Sequence, residues 1–182
     1  MTTLTTKRIT AEEFATTPEP EDGSRDELLC GRVILKPIAR ALHGFVCANV
    51  ACVVHTFVRA NKIGRASMSS GFILARNPDS VLAPDVVYCI RRDPLTDDYP
   101  EYAPDLVVEV LDFEEERCIL PEKLGVYITS GVRLVWVVDP VTRTVMVYAG
   151  STRGVELGEN DTITGGDVLP GFACKVADFF AD

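Results

Sequence analysis

Pro84-Asp85-Val86-Val87, Pro104-Asp105-Leu106-Val107-Val108-Glu109-Val110-Leu111 and Glu122-Lys123-Leu124-Gly125-Val126-Tyr127 decide how this chain reads. The first two segments open strands behind Pro-Asp pairs, and the third carries a lysine on a helix. Residues 106–111 are apolar on both faces apart from Glu109, so this strand belongs in the middle of a sheet covered on both sides. A carboxylate there is costly unless it is paired, hydrogen-bonded or bound to a cation. Strand alternation puts Asp105, Val107 and Glu109 on one face and Leu106, Val108 and Val110 on the other. Asp85, at the start of a second strand, can converge with Glu109 on one metal. A hard cation such as Mg²⁺ (or Mn²⁺) takes carboxylate oxygens and keeps waters for a phosphate and a nucleophile. Lys123 on the helix can orient that water or stabilise developing negative charge. Each residue also has a plainer reading. An isolated buried Glu109 reads first as a structural ion pair, for instance with Arg32 or Lys123, until Asp85 is set beside it, and Pro-Asp is ordinary turn chemistry, Asp105 especially.

Working outward, Thr10-Ala11-Glu12-Glu13 forms a capping box that starts a short helix at Ala11, ended by the 18–24 run. Arg32 to Lys36 reads as a strand between Gly31 and Pro37. From Leu42, Phe45, Val46, Asn49, Val50, Val53, Val54, Phe57 and Val58 recur at helical spacing and predict a helix of about four turns. Gly71 to Leu74 and Val86 to Ile90 are expected as a hairpin or as neighbours in one sheet, and residues 91–104 as a polar loop. Pro121 to Ser130 suits a helix with Pro121 in its first turn and Gly131 beyond its end. Leu134 to Val138 is a buried strand, Thr144 to Tyr148 returns from it, 150–166 holds a short edge hairpin, and Val168 to Phe180 folds back onto the core. The element order implies an α/β (α+β) domain, a mixed central β-sheet flanked by helices.

At 182 residues, 47% hydrophobic and 25% charged, one domain over 1–182 with a substantial core is expected. No apolar run is read as reaching the roughly 20 residues that span a bilayer, and the polar Met1–Thr10 stretch lacks a secretory core. A cytoplasmic protein with no membrane contact is expected. Its six cysteines fall in no Cys-x-x-Cys pair, which suits buried, reduced thiols and argues against a metal-thiolate site. The net charge of −9 opposes unassisted DNA binding, since Lys and Arg supply non-specific affinity for phosphates.

The run Gly71-Phe72-Ile73-Leu74, Pro84-Asp85-Val86, Pro104 to Leu111, Glu122 to Tyr127 and Trp136 to Pro140, in this order and spacing, resembles the Uma2 family of the PD-(D/E)XK superfamily. The resemblance extends from Asp26 to Phe172. It implies a restriction-endonuclease-like fold with Asp85 and Glu109 as metal ligands. The lysine that many superfamily members carry two residues after the acid is Leu111 here, and Lys123 takes that role. Glu27 matches a family acidic position, as a further ligand or base-positioning group; a solvated charge before a strand is the equal alternative. Where the family usually turns through polar residues after the Glu-Val-Leu segment, this chain has Asp112-Phe113-Glu114-Glu115-Glu116, which would repel DNA. His43 lies near a family histidine but reads as a cap or surface residue, and His55 as structural.

Three functions follow as expectations. The first is a Mg²⁺-dependent endonuclease using Asp85, Glu109, Lys123 and Glu27, with DNA as partner. The second is a catalytically impaired member serving as a protein-binding or assembly module. The third is a hydrolase of a small phosphorylated substrate. Aliphatic edge strands suggest a homodimer.

Overall fold

The computed structural model describes residues 8–18, 25–90 and 96–181, with the backbone only at 25 and 114–116. Its helices are α1 (Ala11–Ala15), α2 (Ala41–Asn61) and α3 (Glu114–Ser130), followed by a 3₁₀ turn at Val176–Phe180. The strands, in chain order, are β1 (Arg25–Leu29), β2 (Arg32–Lys36), β3 (Arg65–Met68), β4 (Phe72–Ala75), β5 (Ser80–Leu82), β6 (Val86–Cys89), β7 (Leu106–Val110), β8 (Leu134–Asp139), β9 (Thr144–Ala149), β10 (Val155–Leu157), β11 (Thr162–Gly165) and β12 (Leu169–Lys175).

A six-stranded sheet, ordered β10-β9-β8-β7-β6-β3, is the centre of the molecule. It is mixed: β7 and β8 run parallel, joined through α3, and the other pairs are antiparallel. Every residue of β7 and β8 is buried, as the apolar runs require of strands covered on both faces. One face packs Val86, Leu106, Val108 and Trp136 against α2 and the C-terminal segment. The other packs Val87, Val107 and Val135 against α3 and a second sheet, ordered β2-β1-β5-β4. The expected mixed sheet flanked by helices is therefore present, with a smaller sheet on one side.

That smaller sheet corrects the strand reading. β4 pairs with β5 in the small sheet, whereas β6 pairs with β3 and β7 in the large one, so Gly71–Leu74 and Val86–Ile90 form no hairpin. The chain crosses between sheets at Ala83-Pro84, just before Asp85. β1, β3 and β5 escape the sequence reading because three to five residues of mixed polarity carry little period-2 signal. The 150–166 segment splits: β10 extends the large sheet beside β9, and β11 pairs with β12.

Both long helices exceed expectation. Helix α2 has 21 residues, nearly six turns, with Val46, Val50, Val54 and Val58 buried at four-residue spacing. By length and composition it is apolar enough to cross a membrane, contrary to the sequence reading, yet here it seats its valine stripe on the central sheet. It ends at Lys62 in the left-handed conformation. Helix α3 starts seven residues before Pro121, placing the proline in its interior. Pro121 removes one helical hydrogen bond, and because Pro121 and Arg117 are exposed, water can satisfy the released carbonyl. The backbone of Glu114–Glu116 supplies the first turn of α3, where the helix dipole favours acidic residues; their side chains lie outside the described residues, as do residues 19–24 and 91–95 of the expected loops.

Candidate active site

The β6–β7 pairing is what builds the site. Its register matches Val86 with Val108 and Tyr88 with Leu106, so one step further places Asp85 opposite Glu109. The Val110 N–H donates to Asp85 Oδ2 at 2.7 Å and fixes the carboxylate against the end of β7. The β1–β2 hairpin closes through Cys30 and Gly31, both at positive φ, as a two-residue turn of this kind requires. Its register, Glu27 opposite Ile34, puts Glu27 and Lys36 on one face. Helix α3 presents Lys123 and Tyr127, four residues apart and on one face.

These elements assemble two layers of charge. In the inner layer Glu109 Oε1 meets Lys123 Nζ at 2.5 Å and accepts a hydrogen bond from the Tyr127 hydroxyl. Lys123 Nζ also lies 3.0 Å from Glu27 Oε2, and Glu27 Oε1 accepts the Ala83 N–H at 2.9 Å. Glu27, Glu109 and Lys123 are all nearly inaccessible, at 1%, 5% and 4% exposure. In the outer layer Lys36 Nζ stands 3.8 Å from Asp85 Oδ1 and 4.0 Å from Glu109 Oε2, so both carboxylates direct an oxygen at one cation. His43 Nε2 lies 3.4 Å from Asp85 Oδ2.

The electrostatics follow from burial and pairing. Burial pushes Glu109 above the usual carboxylate range, with Lys123 and Lys36 only partly offsetting it. Burial also pushes Asp85 upward, but His43, Lys36 and the Val110 N–H outweigh it and hold the carboxyl below its usual value. Burial would lower Lys123, yet Glu109 and Glu27 keep it raised and therefore charged. Burial beside Glu109 holds the Tyr127 phenol well above its ordinary range.

A cleft of about 360 Å³ opens onto the outer layer, lined by Lys36, His43, Cys47, Asp85 and Asp112 among others. Two of its lining residues, Asp112 and Phe113, are held by Arg40, whose backbone N–H and side chain bond Asp112 and whose guanidinium lies over Phe113. Glu109 and Lys123 sit behind it around a void of about 10 Å³, which Lys36 also lines.

A family model described as "Putative restriction endonuclease", Uma2, matches residues 11–177. The chain belongs to the Uma2 family. The fold agrees with a crystal structure described as a "putative nuclease belonging to DUF820" from Anabaena variabilis ATCC 29413, at TM-score 0.82 and 21% identity, covering 94% of this chain and 97% of that one. No curated protein matches the sequence.

In this Uma2 chain the residues singled out from sequence, Asp85, Glu109, Lys123 and Glu27, do come together. Glu27 is buried inside β1, which overturns its reading as a solvated charge. Arg32 pairs with Glu122 rather than Glu109. Asp105 stays out, accepting the Ile90 N–H at the opposite end of β7. His43 is no surface cap, since it reaches Asp85, whereas His55 is exposed. The cysteines divide: Cys47 and Cys89 are buried, but Cys52 and Cys118 are exposed. Sequence reasoning missed Lys36, Tyr127 and Cys47. Tyr127 was signalled by its four-residue spacing from Lys123; Lys36 had no local signal.

Proposed function

We propose that this Uma2 chain is a divalent-metal-dependent endonuclease that hydrolyses DNA phosphodiester bonds at the Asp85–Glu109 pair. The observation that carries the reading is the convergence of Asp85 Oδ1 and Glu109 Oε2 on one cationic position beside an open cleft. Those oxygens suit Mg²⁺ or Mn²⁺, hard cations with carboxylate preference. Such an ion supplies Lewis-acid polarisation of the phosphate and a water activated near neutral pH.

The lysine roles divide by burial. Lys123 is held between Glu27 and Glu109 away from the cleft, so its role is to fix the orientation of Glu109, with Tyr127 as the second support. Lys36 lines the cleft and is the lysine able to touch a scissile phosphate. A metal held by both carboxylates would take the position that the Lys36 ammonium occupies, so Lys36 would have to turn away from them. Glu27 anchors Lys123 rather than binding metal.

A second reading, a catalytically impaired member serving as an assembly module, is favoured by Lys36, whose ammonium already stands between the two carboxylates, and by the net charge of −9. Calorimetric titration with Mg²⁺ and Mn²⁺, run beside plasmid cleavage on wild type, Asp85→Ala and Glu109→Ala, separates the two. The nuclease reading expects metal binding and cleavage in wild type and neither in the variants. Cleavage that persists unchanged in both variants overturns it, and absence of binding at millimolar metal selects the module.

A further inference from the structure

We propose that His43, Cys47 and Asp85 form a second metal site, sharing Asp85 with the first, that takes a thiophilic divalent ion of the zinc class. The proposal goes beyond the oxygen-only Asp85–Glu109 reading and does not depend on it. The imidazole, thiol and carboxylate each offer a ligand atom, and the three atoms lie within 4.8 Å of one another. The His43–Cys47 and His43–Asp85 spacings match a single tetrahedral ion. Zn–N and Zn–O bonds of about 2.0 Å and a Zn–S bond of about 2.3 Å, at tetrahedral angles, set ligand atoms about 3.5 Å apart for N and S and about 3.3 Å for N and O. Here His43 Nε2 lies 3.6 Å from Cys47 Sγ and 3.4 Å from Asp85 Oδ2.

The scaffold is rigid where the ligands attach. His43 and Cys47 sit four residues apart on α2, so the helix projects both to one side. Asp85 is oriented by the Val110 N–H, which donates to the same Oδ2 that faces His43 and fixes that oxygen in place. Cys47 is only 4% exposed, and all three residues line the cleft, which leaves a fourth position open to solvent or substrate. Three protein ligands with one open position is the arrangement of reactive rather than purely structural zinc. The two oxygens of Asp85 are divided, Oδ2 toward His43 and Oδ1 toward Lys36, so the two sites draw on different faces of one carboxylate. Metal binding displaces the Cys47 thiol proton to solvent and forms the metal–sulfur bond, with no change of oxidation state.

Cobalt(II) reports the sulfur ligand directly. The full chain, kept reduced, is titrated with Co²⁺ and the thiolate-to-cobalt charge-transfer absorption is followed. Zn²⁺ affinity is read by competition with a chromophoric chelator, for wild type, Cys47→Ser, His43→Ala and Glu109→Ala. Wild type is expected to bind one equivalent with the band. Cys47→Ser, which nearly preserves volume, loses the band and at least about 100-fold in Zn²⁺ affinity, a ligand loss exceeding second-sphere effects; His43→Ala weakens Zn²⁺ similarly, and Glu109→Ala keeps the band. Circular dichroism confirms that each variant is folded. A wild type without the band at saturating Co²⁺, or a band that survives in folded Cys47→Ser, overturns the proposal. A normal band alongside failed Mg²⁺-dependent cleavage would leave this site standing and remove the nuclease reading alone.

Discussion

Asp85 and Asp105 each follow a proline, and each precedes a buried strand of the same sheet, yet only Asp85 enters the site. The reason is the direction of the chain. Strands β6 and β7 run antiparallel, so their beginnings lie at opposite ends of the sheet. Asp85 therefore lies across from Glu109, at the end of β7, where α2, α3 and the β1–β2 hairpin meet. Asp105 lies about 13 Å away along the strand, at roughly 3.3 Å per residue. There it accepts the Ile90 N–H at 2.8 Å and pairs with the exposed Arg133. One dipeptide thus enters the buried charge cluster in one place and caps a strand in the other.

The contrast breaks first at the two carboxylates that the proposed ion would use. Asp85→Ala and Glu109→Ala are each expected to reduce plasmid cleavage by at least about a thousandfold, the scale of losing several kcal/mol of charge stabilisation. Next comes the buried triad. Lys123→Met strands Glu27 and Glu109 without their cation and should cost about 3–5 kcal/mol in urea unfolding. Lys36→Met, in the outer layer, is expected to lose about 100-fold in cleavage while Mg²⁺ affinity rises, because the competing ammonium is gone. Parallel loss of both would mean that Lys36 supports the metal site rather than vacating it.

At the other end of β7 the expected effects shrink. Asp105→Ala should leave cleavage within about twofold and cost about 1 kcal/mol, the scale of one hydrogen bond. Asp79 extends the comparison as another capping aspartate: hydrogen bonds from the Ala11 and Asn77 N–H groups and from Arg76 hold its carboxyl below the usual value despite burial. A depressed folded pKa contributes stability above the unfolded value of about 3.9, and that contribution is lost as pH falls through the folded value. Urea melts of wild type and Asp79→Asn should therefore differ by a constant amount near neutral pH and converge in acid; a gap that grows with acidity would contradict this.

Much of the inner layer was legible because local rules carried it. Glu109 was conspicuous as a lone acid in a doubly buried strand, and Lys123 as a lysine on the helix that follows it. The cleft-facing layer was not. Lys36 ends an edge strand whose burial pattern is irregular, and His43 and Cys47 lie on a helix whose apolar period signals core alone. The capping box at Thr10–Glu13 formed as read, since its contacts span three residues. Helix lengths were underestimated, as at Pro121, which reads as a first-turn residue but lies inside α3.

The sequence by itself determined the elements whose energetics are local or one-dimensional: the buried β7 and β8, the valine stripe of α2, the cost of burying Glu109 and the pattern that marks the family. The tertiary structure decided which charges meet. That choice depends on antiparallel register, on the crossing between two sheets before Asp85 and on the face the β1–β2 hairpin turns inward. A one-residue shift in any of these would send Glu27, Lys36 or Asp85 to the wrong side, and no local propensity distinguishes the two outcomes.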